Sequence, residues 1–160
     1  MTPDPYHLTP ADAARIAIAG DVYTILLTGE HTGGALMMAD QTVFPGGGPP
    51  PHTHSREDET FYIIEGTVTF TAAGRTFTAG PGEAVHVPRG VLHTFRNESG
   101  ARARMLVICR PAGIERMFME IGTPWSGPPT EAPPPPGPAD IERILTVCPR
   151  YGVEIHAPQA

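Results

Sequence analysis

The chain has little of several features that would assign it to a common class of protein. Only two of its 160 residues are cysteine, so the disulfide framework of a small secreted domain is not expected. Lys and Arg number 11 against 17 Asp and Glu, and the resulting net charge of −6 argues against a nucleic-acid partner. No apolar run approaches the roughly 20 residues of a membrane-spanning helix. We therefore expect neither nucleic acid nor a membrane as a partner.

The beginning of the chain lacks two further features. It has no basic stretch and no long apolar run of the kind that forms a secretory signal, so we expect a cytoplasmic location. The few cysteines agree with that location, and Cys109, which lies in the apolar run ARMLVICR, is expected to be a buried, unreactive thiol.

Proline and glycine, in contrast, are abundant. The 20 prolines and 18 glycines separate short segments rich in β-branched and aromatic residues. From residue 21 to about residue 110 these segments recur roughly every eight to twelve residues, a spacing typical of a β-sandwich or barrel. The pattern predicts an all-β fold.

Three segments are predicted along the chain. Residues 1–20 are expected to be irregular, with a short helix or turn opening at Thr9-Pro10. Residues 21–112 form the β-barrel. Residues 113–160 form a C-terminal extension, in which a proline-rich tether leads to a short helix, capped by Asp140, that packs on the barrel.

Four side chains form a candidate metal site. His52 and His54 are two residues apart on an extended segment, so their imidazoles point to the same face. Glu59 follows five residues later, and His93 can reach the same point from another strand. Three imidazole nitrogens and one carboxylate oxygen suit a divalent transition metal. The sequence predicts one such ion, without deciding among Fe, Ni, Mn, Co, Cu and Zn.

The segments that carry these residues resemble the two motifs of the cupin superfamily. The first motif is matched by Gly46, His52, His54, Glu59 and Gly66. The second is matched by Gly82, Pro88, Gly90, His93 and Asn97. The short spacer between them is similar to that of small single-domain, metal-binding cupins of the quercetin 2,3-dioxygenase-like type. The resemblance implies a double-stranded β-helix (a cupin jelly-roll barrel) with His52, His54, Glu59 and His93 as metal ligands, and a homodimer.

Three functions are compatible with such a site: two kinds of reaction, and one role without catalysis. The first is a dioxygenase that acts on a small hydroxylated aromatic or enolisable substrate, with Glu59 as the catalytic base, a role that the resemblance implies. The alternative is a cyclase, isomerase or lyase in which the metal is a Lewis acid; the third is a barrel that binds a small ligand without turnover. In each case we expect a pocket lined by Met38, Phe61, Ile63 and Phe95.

Overall fold

The structure, a computed structural model, describes residues 4–157, and most of its regular elements are β-strands. The strands in this part of the chain are β1 (Arg15–Ile18), β2 (Asp21–Leu27), β3 (Met37–Val43), β4 (His52–His54), β5 (Asp58–Glu65), β6 (Val68–Ala72), β7 (Arg75–Ala79), β8 (Ala84–Val87), β9 (His93–Arg96), β10 (Ala103–Arg110), β11 (Thr123–Pro124) and β12 (Val153–Ile155). The helices are α1 (Gly29–Thr32), α2 (Ile114–Ile121) and α3 (Pro138–Val147), with a 3₁₀ turn at Cys148–Tyr151.

The strands form two sheets. The larger sheet has the order β11-β1-β2-β3-β10-β5-β8, and the smaller sheet has the order β12-β4-β9-β6-β7. Every pairing between neighbours is antiparallel. This arrangement confirms the predicted all-β double-stranded β-helix with a short C-terminal helix.

The core lies between the two sheets. In β10 every second side chain is buried, as expected for a strand with one face on a core. Phe61 of the larger sheet packs against Phe70 and Phe95 of the smaller one, with ring centroids 5.1 and 5.4 Å apart. Because burial of each large apolar side chain is worth about 1.5–3 kcal/mol, these contacts stabilise the packing of one sheet on the other.

The N-terminal segment contributes more to the fold than the sequence indicated. Residues 10–12 form a turn, one of the two alternatives expected there. However, β1 lies within residues 1–20, which were expected to be irregular, and it pairs with both β2 and β11. The expectation for this stretch was therefore wrong at Arg15–Ile18, where pairing with distant residues stabilises the strand.

The C-terminal extension both packs on the barrel and joins it. Helix α3 begins at Pro138, earlier than predicted, and Asp140 lies in its first turn, where its carboxylate accepts a hydrogen bond from Gly137 N at 2.9 Å. The final strand, β12, pairs with β4 and places Ile155 opposite His52. Among residues 4–157, no helix combines the length and the apolar character needed to cross a bilayer.

The loop between β3 and β4 passes very close to β9. Gly48 has a φ of 128°, and a Cβ built on it would lie 2.0 Å from the carbonyl oxygen of Phe95. Gly46 also has a positive φ, 80°, but its nearest neighbour would be Arg96 Nη2 at 3.8 Å. Glycine is therefore required at position 48 for two reasons, and at position 46 for backbone conformation alone.

The Gly48→Ala substitution should destabilise the protein much more than Gly46→Ala. Gly46→Ala, the control, should lower the free energy of unfolding by about 1–2 kcal/mol, because alanine is strained in the left-handed region. Gly48→Ala should lower it further, because the new Cβ would also clash with the carbonyl oxygen of Phe95. Urea unfolding followed by circular dichroism measures both free energies. Equal losses of stability in the two variants would contradict the close approach of this loop to β9.

Asp21 anchors the same loop from the start of β2. Its side chain is buried, with Oδ1 accepting a hydrogen bond from Phe44 N at 3.1 Å and Oδ2 accepting one from Gln41 Nε2 at 3.3 Å. Burial raises the pKa of Asp21 from 3.8 to about 7, although these hydrogen bonds oppose the change. Between about pH 4 and pH 7, Asp21 therefore keeps its proton in the folded state and loses it in the unfolded state.

Asp21→Asn should remove part of the pH dependence of stability. The pKa of Asp21 is higher in the folded state, so wild-type stability falls as pH rises from about 4 to about 7 and is constant beyond. The neutral amide of the variant avoids this loss. Over that pH range, the free energy of unfolding of the variant should therefore rise relative to that of wild type by about 1–4 kcal/mol. Urea unfolding of both metal-free proteins at pH 4.5 and pH 8 gives this difference. A difference that does not change with pH would show that Asp21 ionises normally.

Candidate metal centre

The four predicted ligands meet inside the barrel. His52 and His54 come from β4, Glu59 from β5 and His93 from β9. One donor atom of each residue lies within 4.8 Å of those of the other three, and all four residues are buried. Donor atoms bound at about 2.1 Å from one ion lie about 3–4 Å from each other, so a small contraction would bring the four around a single ion.

Strand pairing explains why these side chains converge. His52 lies directly opposite His93 in the pairing of β4 with β9, and His54 shares the face of His52. Glu59 approaches from the larger sheet, where it begins the run of inward-facing residues in β5. The cluster therefore joins the two sheets at one point of the interior.

Backbone carbonyls orient two of the imidazoles. His52 Nδ1 lies 2.9 Å from the carbonyl oxygen of Pro50, and His93 Nδ1 lies 3.0 Å from that of Val91. Since a carbonyl can only accept, each Nδ1 carries the hydrogen, and in the neutral ring Nε2 is left with a free lone pair. Histidine ligands of metals are commonly oriented in this way.

Two imidazole nitrogens lie close to one carboxylate oxygen. His93 Nε2 lies 2.9 Å from Glu59 Oε2, and His54 Nε2 lies 3.4 Å from the same oxygen. Neither ring nitrogen of His54 has a hydrogen-bond partner, although both are buried. Electron-rich atoms this close need a proton or a metal ion between them, so the residues present fit a divalent cation.

The pKa values describe the charges of the cluster. Burial raises the pKa of Glu59, but the surrounding imidazoles outweigh burial and bring it to about 2. Burial, with help from His93, lowers the pKa of His52 to about 3. Burial also lowers the pKa of His54, but Glu59 and Glu57 outweigh it and the net pKa is raised. At neutral pH Glu59 is thus ionised and His52 is neutral, the forms that bind metals.

Two neighbours of the ligands were not predicted as parts of the site. Glu57 is buried, and its Oε2 lies 3.6 Å from His54 Nδ1, on the side of the ring away from Glu59. Cys109 Sγ donates to Glu59 Oε1 at 3.7 Å, and burial raises the pKa of this thiol. Glu57 was detectable by its position three residues after His54, whereas Cys109 is placed by its pairing with Glu59 across β5 and β10. Both side chains constrain ligand orientation.

A cavity of about 90 Å³ adjoins the cluster. Its wall contains three of the four predicted ligands, His52, His54 and Glu59. It also contains three polar residues that were not predicted from the sequence, Asp21, Tyr23 and Gln41. Most of the remaining wall is apolar and comes from both sheets, from α2 and from the C-terminal segment, and includes Phe95, Val107, Met117, Phe118, Ile144, Cys148 and Val153.

The structure corrects the expected pocket. Of the four residues predicted to line it, Phe95 is in the wall. Phe61 and Ile63 face inward but are fully buried away from the cavity. Met38 is on the other face of β3, because Met37 is the inward residue of that pair. Met38, Phe61 and Ile63 were therefore assigned to the pocket wrongly.

Comparison with known proteins gives matches to one family. Residues 39–109 match the cupin domain family. Quercetin 2,3-dioxygenase of Bacillus subtilis is 27% identical over 123 residues, which are 77% of this chain and 36% of that protein. Germin-like protein subfamily 2 member 2 of Arabidopsis thaliana is 39% identical over 67 residues, covering 39% of this chain and 31% of the relative. The chain thus spans about a third of the length of these curated relatives.

Solved structures share the fold. A protein of Thermotoga maritima described as a predicted oxalate decarboxylase superposes with a TM-score of 0.61 at 18% identity, over 66% of this chain and 99% of that one. At this identity the likeness concerns the fold alone. The domain match over residues 39–109, the similarity to a quercetin 2,3-dioxygenase and the shared fold together support the assignment of this chain to the cupin superfamily.

Proposed function

We propose that the protein is a metal-dependent dioxygenase that acts on a small hydroxylated aromatic or enolisable compound. The observation that carries this proposal is the buried contact of His93 Nε2 with Glu59 Oε2 at 2.9 Å, beside a mostly apolar cavity. The similarity to a quercetin 2,3-dioxygenase supports the choice of reaction.

One divalent ion would be held by His52, His54, Glu59 and His93. Its identity is open among Fe, Ni, Mn, Co, Cu and Zn, because this donor set accepts most of the first-row series. When bound, the ion supplies a Lewis acid that lowers the pKa of a coordinated substrate hydroxyl and, if redox-active, a partner for O₂.

The protein supplies a base and a dry environment. Glu59 Oε2 faces the imidazoles, so we assign the proton of the substrate hydroxyl to Oε1, the oxygen that Cys109 also contacts. The Cys109 thiol keeps this oxygen in place. Apolar wall residues such as Phe95 and Phe118 exclude water from the reacting atoms.

The size of the cavity restricts the substrate. A cavity of about 90 Å³ is smaller than the engineered cavity of about 150 Å³ that binds benzene. A single ring at most is therefore accommodated, and only if the wall moves outward. A flavonol with three rings would require displacement of the wall formed by Met117, Phe118 and Ile144.

A second candidate reaction uses the same residues without oxygen. The small cavity, with a carboxylate at the metal centre, also suits a cyclase, isomerase or lyase in which the ion is only a Lewis acid. Consumption of O₂ distinguishes the two reactions.

His93→Ala should abolish stoichiometric metal binding. The substitution removes one of four donors, so we expect affinity for Co²⁺ or Zn²⁺ to fall at least 100-fold, measured by calorimetry and elemental analysis. His86→Ala is the matched control, because His86 is exposed on β8 and contacts Thr60 rather than the cluster. Full metal occupancy in His93→Ala would overturn the ligand assignment.

Glu59→Gln should lower turnover per bound ion by about 10²–10⁴-fold, since it removes the base. Oxygen uptake with catechols and flavonols is measured for protein loaded with Fe, Ni, Co or Mn, and metal content is determined in parallel. Glu65→Gln on the same strand, which is exposed, is the control. No uptake with any of these ions would refute the dioxygenase, and product formation without O₂ would favour the second candidate.

A further inference from the structure

One residue of the cavity wall that is not a predicted metal ligand has an unpaired polar atom. Gln41 is fully buried, and its Nε2 donates to Asp21 Oδ2 at 3.3 Å, but its Oε1 has no hydrogen-bond partner. A buried acceptor without a partner costs about 1–3 kcal/mol. A site that retains such an atom is suited to a ligand that donates a hydrogen bond to it.

The amide of Gln41 is held in one orientation. Asp21 is fixed by the hydrogen bond from Phe44 N at 3.1 Å, and it engages the NH₂ group of Gln41. In this contact the NH₂ group of Gln41 faces Asp21, and the carbonyl oxygen is left free. Tyr23 lies opposite Gln41 in the pairing of β2 with β3 and adds a hydroxyl to the same wall.

The same cavity is also bounded by the metal centre. His52, Glu59 and Gln41 all line it, and Phe95, Val107 and Phe118 belong to the same wall. Because all of these residues line one cavity of about 90 Å³, we expect a small ligand in it to reach both polar regions.

We propose that Gln41 determines substrate specificity by accepting, at Oε1, a hydrogen bond from a hydroxyl of the substrate whose other oxygens lie at the metal centre. This inference rests on the proposed function and names the substrate class: a single-ring compound with two adjacent oxygens for the metal and a further hydroxyl. The further group must be a donor, since Oε1 can only accept.

Binding without turnover tests the proposal. Zn²⁺-loaded protein is titrated with single-ring catechols under anaerobic conditions in a calorimeter; zinc is redox-inert, so no oxidation occurs. The series compares ring substituents at the 3 and 4 positions: hydrogen, hydroxyl, methyl and methoxy. At one of these positions the hydroxyl compound should bind at least 10-fold more tightly than its methyl and methoxy analogues.

Gln41→Met should abolish this preference, because methionine has a similar length and offers no comparable acceptor. Met105→Leu is the matched control: Met105 pairs with Gln41 in the sheet, is fully buried and does not line the cavity. Zinc stoichiometry should be unchanged in both variants. If Gln41→Met does not fold, equal binding of all analogues to wild-type protein would still overturn the proposal.

The outcomes separate this inference from the proposed function. A hydroxyl preference that disappears in Gln41→Met supports the role of Gln41, even if Fe-loaded protein consumes no oxygen. Equal binding of all analogues, a preference for methoxy, or no binding of any catechol would overturn it. A preference that survives in Gln41→Met would also overturn it.

Discussion

The structure depends on a contact between two electron-rich atoms, His93 Nε2 and Glu59 Oε2, 2.9 Å apart in the interior of the barrel. A charged carboxylate in such surroundings is costly unless a positive charge compensates it. The carbonyl of Val91 uses the Nδ1 hydrogen of His93, so the compensation has to lie between Nε2 and the carboxylate, as a proton or a metal ion. The interior of this protein therefore contains a cluster of donor atoms that suits a cation.

The two sheets assemble the cluster through their registers. His52 faces His93 within the smaller sheet, and Glu59 faces Cys109 within the larger one. A slip of one residue in either pairing would turn a ligand to the opposite face. The loop at Gly48, held against β9, leads into the histidine strand, and β12 pairs with that strand along its whole length. Residues that are distant in sequence thus position the site together.

The sequence predicted the all-β fold and the four side chains of the cluster because those signals are local. A His-x-His segment, a carboxylate five residues later and the turn residues around them retain their meaning without knowledge of the rest of the chain. The pocket was predicted poorly because alternation along a strand shows which face a residue occupies, not what covers it. Phe61 faces inward but is covered by Phe70 and Phe95 from the other sheet. Gln41 gave no signal, since its role follows from its contact with Asp21, twenty residues away.

The C-terminal segment links the size of the cavity to the predicted metal site. Ile144 and Cys148 form part of the cavity wall, and the strand that follows them pairs directly with the strand of His52 and His54. Any enlargement of the cavity that displaced β12 would disturb two of the predicted metal ligands, whereas movement of α2 and α3 need not break that pairing. Between α3 and β12 lie the 3₁₀ turn and Gly152, whose φ of 76° marks a sharp change of chain direction. The helices are therefore the part of the wall whose displacement can enlarge the cavity while the pairing of β12 with β4 is kept.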